Sequence, residues 1–417
     1  MSIPDETPPS TALPRNVRLL GLTSLVNDIA SEMIFPLLPK FLLGVLGGDK
    51  LFLGVIEGIA ESTASLLKLF AGAWSDRLGR RKGFVVFGYL LAALARPLIG
   101  IAAAPWHVLA ARFSDRVGKG VRTAPRDALI AESVPPGIRG RAFGFHRAMD
   151  HLGAAIGPLL ATGFLFLWPG EYRALFLLTL IPGLLVVSIA IFGLREPPRE
   201  SSPQVNTRPA SASEPVHRSA SRSHFDPRFR WLLAAIVVFT LGNSSDAFLL
   251  VRAEELGVAP VWLPTLWCAF HLMKSGGNLI AGRITDRVGP RPMLLGGWIA
   301  YALIYAGFAF ATAAWHAWAL FGVYALHYAV TEPAEKTLVA EYAGARRGLA
   351  FGWFNFALGI VALPANLLCG ALYRSHGAAG AFGLGAALAV IASVILTRLY
   401  SARQQSIQPG EEDVAVG

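Results

Sequence analysis

GAWSDRLGRR (Gly72–Arg81) and GRITDRVGPR (Gly282–Arg291) are one phrase written twice, 210 residues apart. Gly, Asp-Arg, Gly and Arg keep the same spacing in both copies. More pairs follow in the same order. TAPRDALIAES (Thr123–Ser133) is echoed by TEPAEKTLVAEY (Thr331–Tyr342), and AFGF (Ala142–Phe145) by AFGW (Ala350–Trp353). A chain that repeats itself in this way predicts two like halves packed about a pseudo-two-fold axis, with a cavity between them.

What lies around the repeated phrases sets the fold class. Of the 417 residues, 54% are hydrophobic and 15% charged, and the mean hydropathy is +0.50. The apolar stretches run all round their helices, where a soluble helical protein would show one-sided stripes. The chain therefore reads as an all-α integral membrane protein. Twelve apolar segments are predicted, at 17–44, 51–74, 83–103, 106–133, 141–167, 172–194, 231–252, 261–284, 292–313, 316–339, 348–372 and 379–400. Residues 17–194 and 231–400 then form two pseudo-symmetric six-helix bundles. The Pro-, Ser- and Arg-rich stretch 195–230 reads as a disordered linker. Residues 1–16 and 401–417 read as disordered tails; the first lacks the basic start and apolar core of a cleaved signal.

Charge placement gives the expected orientation. Arg77, Arg80, Arg81 and Lys82, then Arg139 and Arg141, the linker arginines, Arg287 and Arg291, and Arg346 and Arg347 all fall on one set of connections. The alternate connections hold little positive charge. The positive-inside rule puts both termini and the linker in the cytoplasm of a multi-pass protein of the inner (plasma) membrane. The formal net charge of +10 is explained by these loops and implies no nucleic-acid partner. Cys268 and Cys369 lie in apolar runs, which suggests neither a disulfide framework nor a metal site. No cofactor is expected.

The Gly72–Lys82 stretch resembles the signature loop of the major facilitator superfamily (MFS), G-x-x-x-D-R-x-G-R-R-K, in the family's own place between helices two and three. The partial copy falls between helices eight and nine. The resemblance implies a twelve-helix MFS fold and alternating-access transport. It implies a gating role for Gly72, Asp76, Arg77, Gly79, Arg80 and Arg81, and for Gly282, Asp286, Arg287 and Gly289. The physics stands beside it: glycines allow the tight turn, and an Asp among arginines can form a charge-assisted latch. Because Pro290 replaces Arg80, the first copy is expected to matter more. Arg112 matches the arginine of the family's fourth-helix motif. Asp115 and Arg116 depart from the Gln and Gly that usually follow, which puts the usual role of Arg112 in doubt. GAAIGPLLAT (Gly153–Thr162) resembles the family's antiporter signature at Gly153, Gly157 and Pro158, but Ala161 and Thr162 replace its last two glycines. By resemblance this favours efflux by antiport; as local structure it is a helix-packing surface bent by proline.

RFSDRVGKGVRTAPRD (Arg112–Asp127) is the most charged stretch inside an apolar segment. At about 100° per residue, Arg112, Arg116, Lys119, Thr123 and Arg126 lie within about 40° of one line. Charge within a bilayer should face a cavity or a partner, so Arg112, Arg116, Lys119 and Arg126 are candidate substrate ligands. Glu61, His271 and Glu335 join them from other segments. A soluble loop is the competing reading, because Pro125, Gly118 and Gly120 weaken a helix. Intramembrane acids are candidate proton carriers, unless an arginine holds them ionised. Asp28, Glu32, Asp150 and Asp115 are the chosen set, with a structural ion-pair network as the alternative for each. Glu57, Lys68, Asp246, Lys274 and Glu332 complete the intramembrane charges.

The function expected is proton-coupled efflux of a small organic, anionic or metal-chelate solute by a monomer. Multidrug or cation–proton antiport and proton-coupled import are the alternatives. A primary pump is disfavoured, since Phe113 and Gly120 stand where a phosphate loop around Gly118–Lys119 needs Gly and Ser or Thr. An enzyme is not expected. His146–Asp150 is the nearest catalytic-looking pair, and it has no nucleophile near it in sequence.

Overall fold

The computed structural model describes residues 13–135, 139–196, 227–342 and 347–405. Residues 1–12 and 406–417 of the tails and 197–226 of the linker lie outside these residues; Arg15, Asn16 and residues 401–405, expected in the disordered tails, continue the adjoining helices. Helices cross the molecule twelve times. The first half contains α1 (Arg15–Glu32), α2 (Lys50–Leu78), α3 (Lys82–Leu98), α4 (Pro105–Glu132), α5 (Arg139–Leu167) and α6 (Tyr172–Leu178 and Leu180–Ser188). The second contains α7 (Pro227–Gly242 and Ala247–Glu255), α8 (Leu263–Val288), α9 (Pro290–Phe310) and α10 (Ala314–Tyr342). The last helix, Arg347–Gln405, reverses at Gly377, whose φ of 66° suits glycine alone; its two arms are α11 and α12. The segments predicted at 348–372 and 379–400 are these arms. The seventh helix begins at Pro227, four residues before its predicted start.

Two predicted spans are broken. The segment 17–44 is a straight helix only to Glu32. Beyond it come a 3-10 turn at Phe35–Leu37 and a π turn at Phe41–Val45, because Pro36 and Pro39 remove backbone donors. The segment 231–252 opens at Asn243–Ser245. Gly242 starts the break, and Asn and Ser side chains compete with the helical backbone for its hydrogen bonds. Both breaks fall beside the cavity described below.

The halves meet along two seams, α2 against α11 and α5 against α8. Along the first, Gly370 faces the carbonyl of Lys50, Gly54 that of Asn366, Gly58 the backbone of Leu363, and Gly359 the Ser65 side chain. Missing side chains let the backbones close on one another. Within the first half, Gly153 and Gly157 do the same work. A Cβ at either would strike the carbonyl of Leu25 or Ile29 on α1, and Pro158 lies one residue further along α5.

Among the described residues, six stretches are long and apolar enough to cross a bilayer by composition, including Lys82–Ile101, Tyr172–Gly193 and Pro290–Phe310. The passes that fail this test, α1, α2, α4, α8 and α10, all carry charge on the cavity wall. Outward, large apolar side chains such as Ile101, Phe166, Ile181, Phe192, Leu303 and Phe310 are exposed, as a surface against lipid requires.

Among the described residues, three ion pairs clasp the halves at the end where α2 begins. Lys40 meets Glu254 and Lys50 meets Glu255, each at 2.5 Å, and Arg374 meets Asp49 at 3.0 Å. The backbone N–H of Phe52 and the Arg374 guanidinium hold the Asp49 carboxyl below the usual carboxylate range. A depressed pKa means the clasp is present above the ordinary carboxylate range and is lost only as pH falls through the lower, folded-state value. The distance between spin labels on cysteines one turn from Asp49 and Arg374, with both native residues kept, reports closure, and it should be constant from neutral pH down to about 5. A lengthening across that interval would refute the assignment. Both side chains are about half exposed, so the pair is worth at most about 1 kcal/mol.

Candidate functional site

Between the halves lies a cavity of about 620 Å³ with walls from both. Its floor, toward the Asp49 end, is tied across. Glu57 accepts hydrogen bonds from Arg112 at 2.8 Å in its own half and from Ser245 at 3.0 Å in the other. Trp267 donates to Glu32 at 2.7 Å, and Thr162 meets Thr265 at 2.9 Å. Its walls climb the other way to Lys68, Glu335 and Asn355, near the ends of α2 and α10 and the start of α11. Glu61 and Asn355 on this wall are exposed. The cavity is thus tied across at the Asp49 end, and its exposed wall residues lie toward the Gly79 end.

The stretch Arg112–Asp127 is helical throughout, inside α4, so the loop reading falls. Gly118 and Gly120 are used, not merely tolerated: Gly118 lies against the Gly88 carbonyl of α3, and Gly120 against Leu67 of α2. The cationic stripe divides by partner. Arg112 is spent on Glu57. Arg126 lies off the cavity and pairs with Asp127 at 2.9 Å. Arg116 and Lys119 line the cavity. Arg116 is 9% exposed, and its Nε, 4.0 Å from Asp115, has no hydrogen-bond partner among the described residues. Glu61, His271 and Glu335 also line the cavity, and the His271 Nε2 has no hydrogen-bond partner among the described residues.

The four candidate proton carriers separate likewise. Asp28 and Glu32 line the cavity, and Asp28 accepts a hydrogen bond from Asn27 at 2.9 Å. Asp115 is buried and takes the Arg96 Nε–H at 2.9 Å, which suits an ion-pair network better than a titrating site. Asp150 lies outside the cavity lining. Ser24 donates to it, and His146 and Arg147 sit 3.6 and 3.5 Å away, so it fastens α5 to α1.

The repeated loops form matching turns. Gly79 and Gly289 take φ of 61° and 91°, which glycine alone adopts cheaply. Gly72 packs on Ala124, and Arg77, Arg80 and Arg287 are exposed. Arg81 donates to Glu132 at 3.0 Å, and Arg291, its counterpart, to Glu341 at 2.9 Å. Glu132 and Glu341 were not foreseen, although they stand at matching places in the quoted IAES and VAEY. The side chains of Asp76 and Asp286, and the surroundings of Gly282, lie outside the described set. Glu196 accepts hydrogen bonds from the N–H groups of Arg81 and Lys82, an acid at the start of α3.

Sequence reasoning also missed Arg96. It is the one charge in LLAALARPLIG, which was signal enough. It is buried, pairs with Asp115 and donates to the Asn27 carbonyl at 2.9 Å. The aromatic packing behind the second wall had no sequence signal beyond composition. There Tyr324 donates to Asp246 at 2.7 Å, and Phe239 stacks on Trp298.

Two six-helix halves in a bilayer, closed at one end around a charged cavity, define a membrane transporter. The sequence profile of the Major Facilitator Superfamily matches residues 20–326 and 253–415. An uncharacterised MFS-type transporter of Methanocaldococcus jannaschii is 30% identical over 391 residues, 92% of this chain and 94% of that one. The chain belongs to the major facilitator superfamily. The multidrug resistance protein MdtH of Salmonella arizonae is 25% identical over 333 residues, 79% of this chain and 78% of that one. Among solved structures, a bacterial homologue of the human lysosomal transporter Spinster, inward-facing and unoccupied, superposes with a TM-score of 0.70 at 17% identity. It covers 96% of this chain and 100% of that one.

Proposed function

We propose that this protein, acting as a monomer in the plasma membrane, exports a small organic solute from the cytoplasm in exchange for protons. The observation that carries the reading is the juxtaposition, in one cavity, of Arg116 and Lys119 with Asp28 and Glu32. The bases take an acidic group of the solute. The acids, which no arginine pairs directly among the described residues, take and release the proton. With the basic loops and both termini in the cytoplasm, the Gly79 end faces the cytoplasm. Solute loads there, and opening of the Asp49 end releases it.

The test is proton movement in proteoliposomes loaded with a pH dye and challenged with citrate, metal–citrate, phosphorylated metabolites and cationic drugs. Proton flux opposite to one solute is expected. Asp28→Asn should remove uphill transport by tenfold or more while exchange of solute across the membrane persists. Asp76→Asn should slow both. Co-directional flux would make the protein an importer, and unimpaired pumping by Asp28→Asn would move the coupling acid elsewhere. The likeness to MdtH favours a second reading, multidrug–proton antiport, in which only the cationic drugs drive flux.

A further inference from the structure

The charge on the cavity wall is balanced, and its two signs are unevenly placed. Six basic and seven acidic side chains line it. Five of the six bases belong to the first half. The second half supplies one, Lys274, which lies 3.7 Å from Glu332. A solute with negative charge alone would enter a site with no surplus of positive charge, at a desolvation cost that nothing offsets.

Two poles remain once internal partners are assigned. Arg96 is held by Asp115, and Arg122 lies over the Tyr89 ring. That leaves Lys68 on α2 and, on α4, the buried Arg116 Nε, 4.0 Å from Asp115, and the Lys119 ammonium, neither of which makes a hydrogen bond among the described residues. Across the cavity, Asp246 sits where α7 is broken. It accepts the Tyr324 hydroxyl, with the Tyr328 hydroxyl 3.2 Å beyond, and it has no basic partner within ion-pair distance among the described residues. A carboxylate among tyrosine rings suits an ammonium group. The wall also includes Phe35, Leu358 and Ala362, which suit a short apolar body.

We propose that the solute is dipolar, with its acidic group on Arg116 and Lys119 of the first half and its basic group on Asp246 of the second. The proposal rests on the export reading and narrows it. A dipolar solute joins the halves through opposite ends, whereas a singly charged one engages one half. Only the former favours a state in which the halves have closed on it.

Calorimetry on the purified full-length protein, with three probes of one size, tests this. The probes are L-phenylalanine, 3-phenylpropionate and phenethylamine. L-Phenylalanine should bind at least tenfold tighter than either singly charged probe. Arg116→Gln should bring it to the affinity of phenethylamine, and Asp246→Asn to that of 3-phenylpropionate. Equal or tighter binding of 3-phenylpropionate by the unsubstituted protein overturns the dipolar solute and leaves export of an acidic solute standing. Tightest binding of phenethylamine overturns both. Binding of none of the three by protein with an intact thermal transition overturns the dipolar class at this size.

Discussion

Asp115→Ala should destabilise the folded transporter by about 3–5 kcal/mol, the usual cost of stripping one partner from a buried ion pair. Asp115 and Arg96 are 3% and 5% exposed and meet at 2.9 Å. Arg96 also donates to the carbonyl and side chain of Asn27, so the pair joins α1, α3 and α4. Without Asp115, the Arg96 guanidinium would be left inside the bundle with neutral partners only. The loss should appear as a large fall in thermal transition and in the monodisperse fraction extracted from membranes. Double replacement, Arg96→Met with Asp115→Leu, should recover most of it, because an apolar pair of similar volume leaves no charge stranded. If Asp115→Ala melts within a degree of the parent, the pair is not holding the bundle together.

Gly54→Leu should abolish transport while leaving each half folded. A Cβ at this position would run into the carbonyl of Asn366 on α11, and backbone cannot step aside as a side chain can. The clash lies at the seam between the halves, not inside either one, so it penalises the conformer closed at the Asp49 end. The halves should part there, and the Lys40–Glu254 and Lys50–Glu255 pairs should open with them. Solute exchange should fall at least tenfold, and a cysteine placed at the Asp49 end should become reactive to a membrane-impermeant maleimide. Gly54→Ala should give a weaker version of both effects. Full transport with an unreactive cysteine would show that the seam has room the geometry denies it.

Both expectations depend on contacts that distant residues make, and this marks where sequence reasoning stops. The repeat of Gly72–Arg81 at Gly282–Arg291 was legible because tight turns have few chemical solutions, and a duplicated unit keeps them. Helix count and division into halves followed from apolar length, which the bilayer imposes on any crossing segment. The matching acids Glu132 and Glu341 were legible too, in the repeated AE of each fourth pass, and went unread. Residue type and helical periodicity placed Arg112, Arg116, Lys119 and Arg126 on one line, and α4 does carry them on one helix. They did not reveal that Glu57, 55 residues away, takes Arg112, nor that Arg126 stays with its neighbour Asp127.

What the amino-acid order determined was therefore local and bilayer-imposed: the membrane class, the twelve passes, the two halves and their glycine turns. Which charges remain available for a solute was decided only in the folded molecule. An ionised side chain inside a membrane takes whatever partner the packing brings within about 3–4 Å. For Arg96 and Arg112 that partner lies on another helix, and Asp150 has Ser24 on α1 with His146 and Arg147 on its own helix, so their side chains are occupied by structure. For Arg116, Lys119 and Asp246 no hydrogen-bonded ion pair forms among the described residues, Asp115 lying 4.0 Å from Arg116, and the cavity is where they are left.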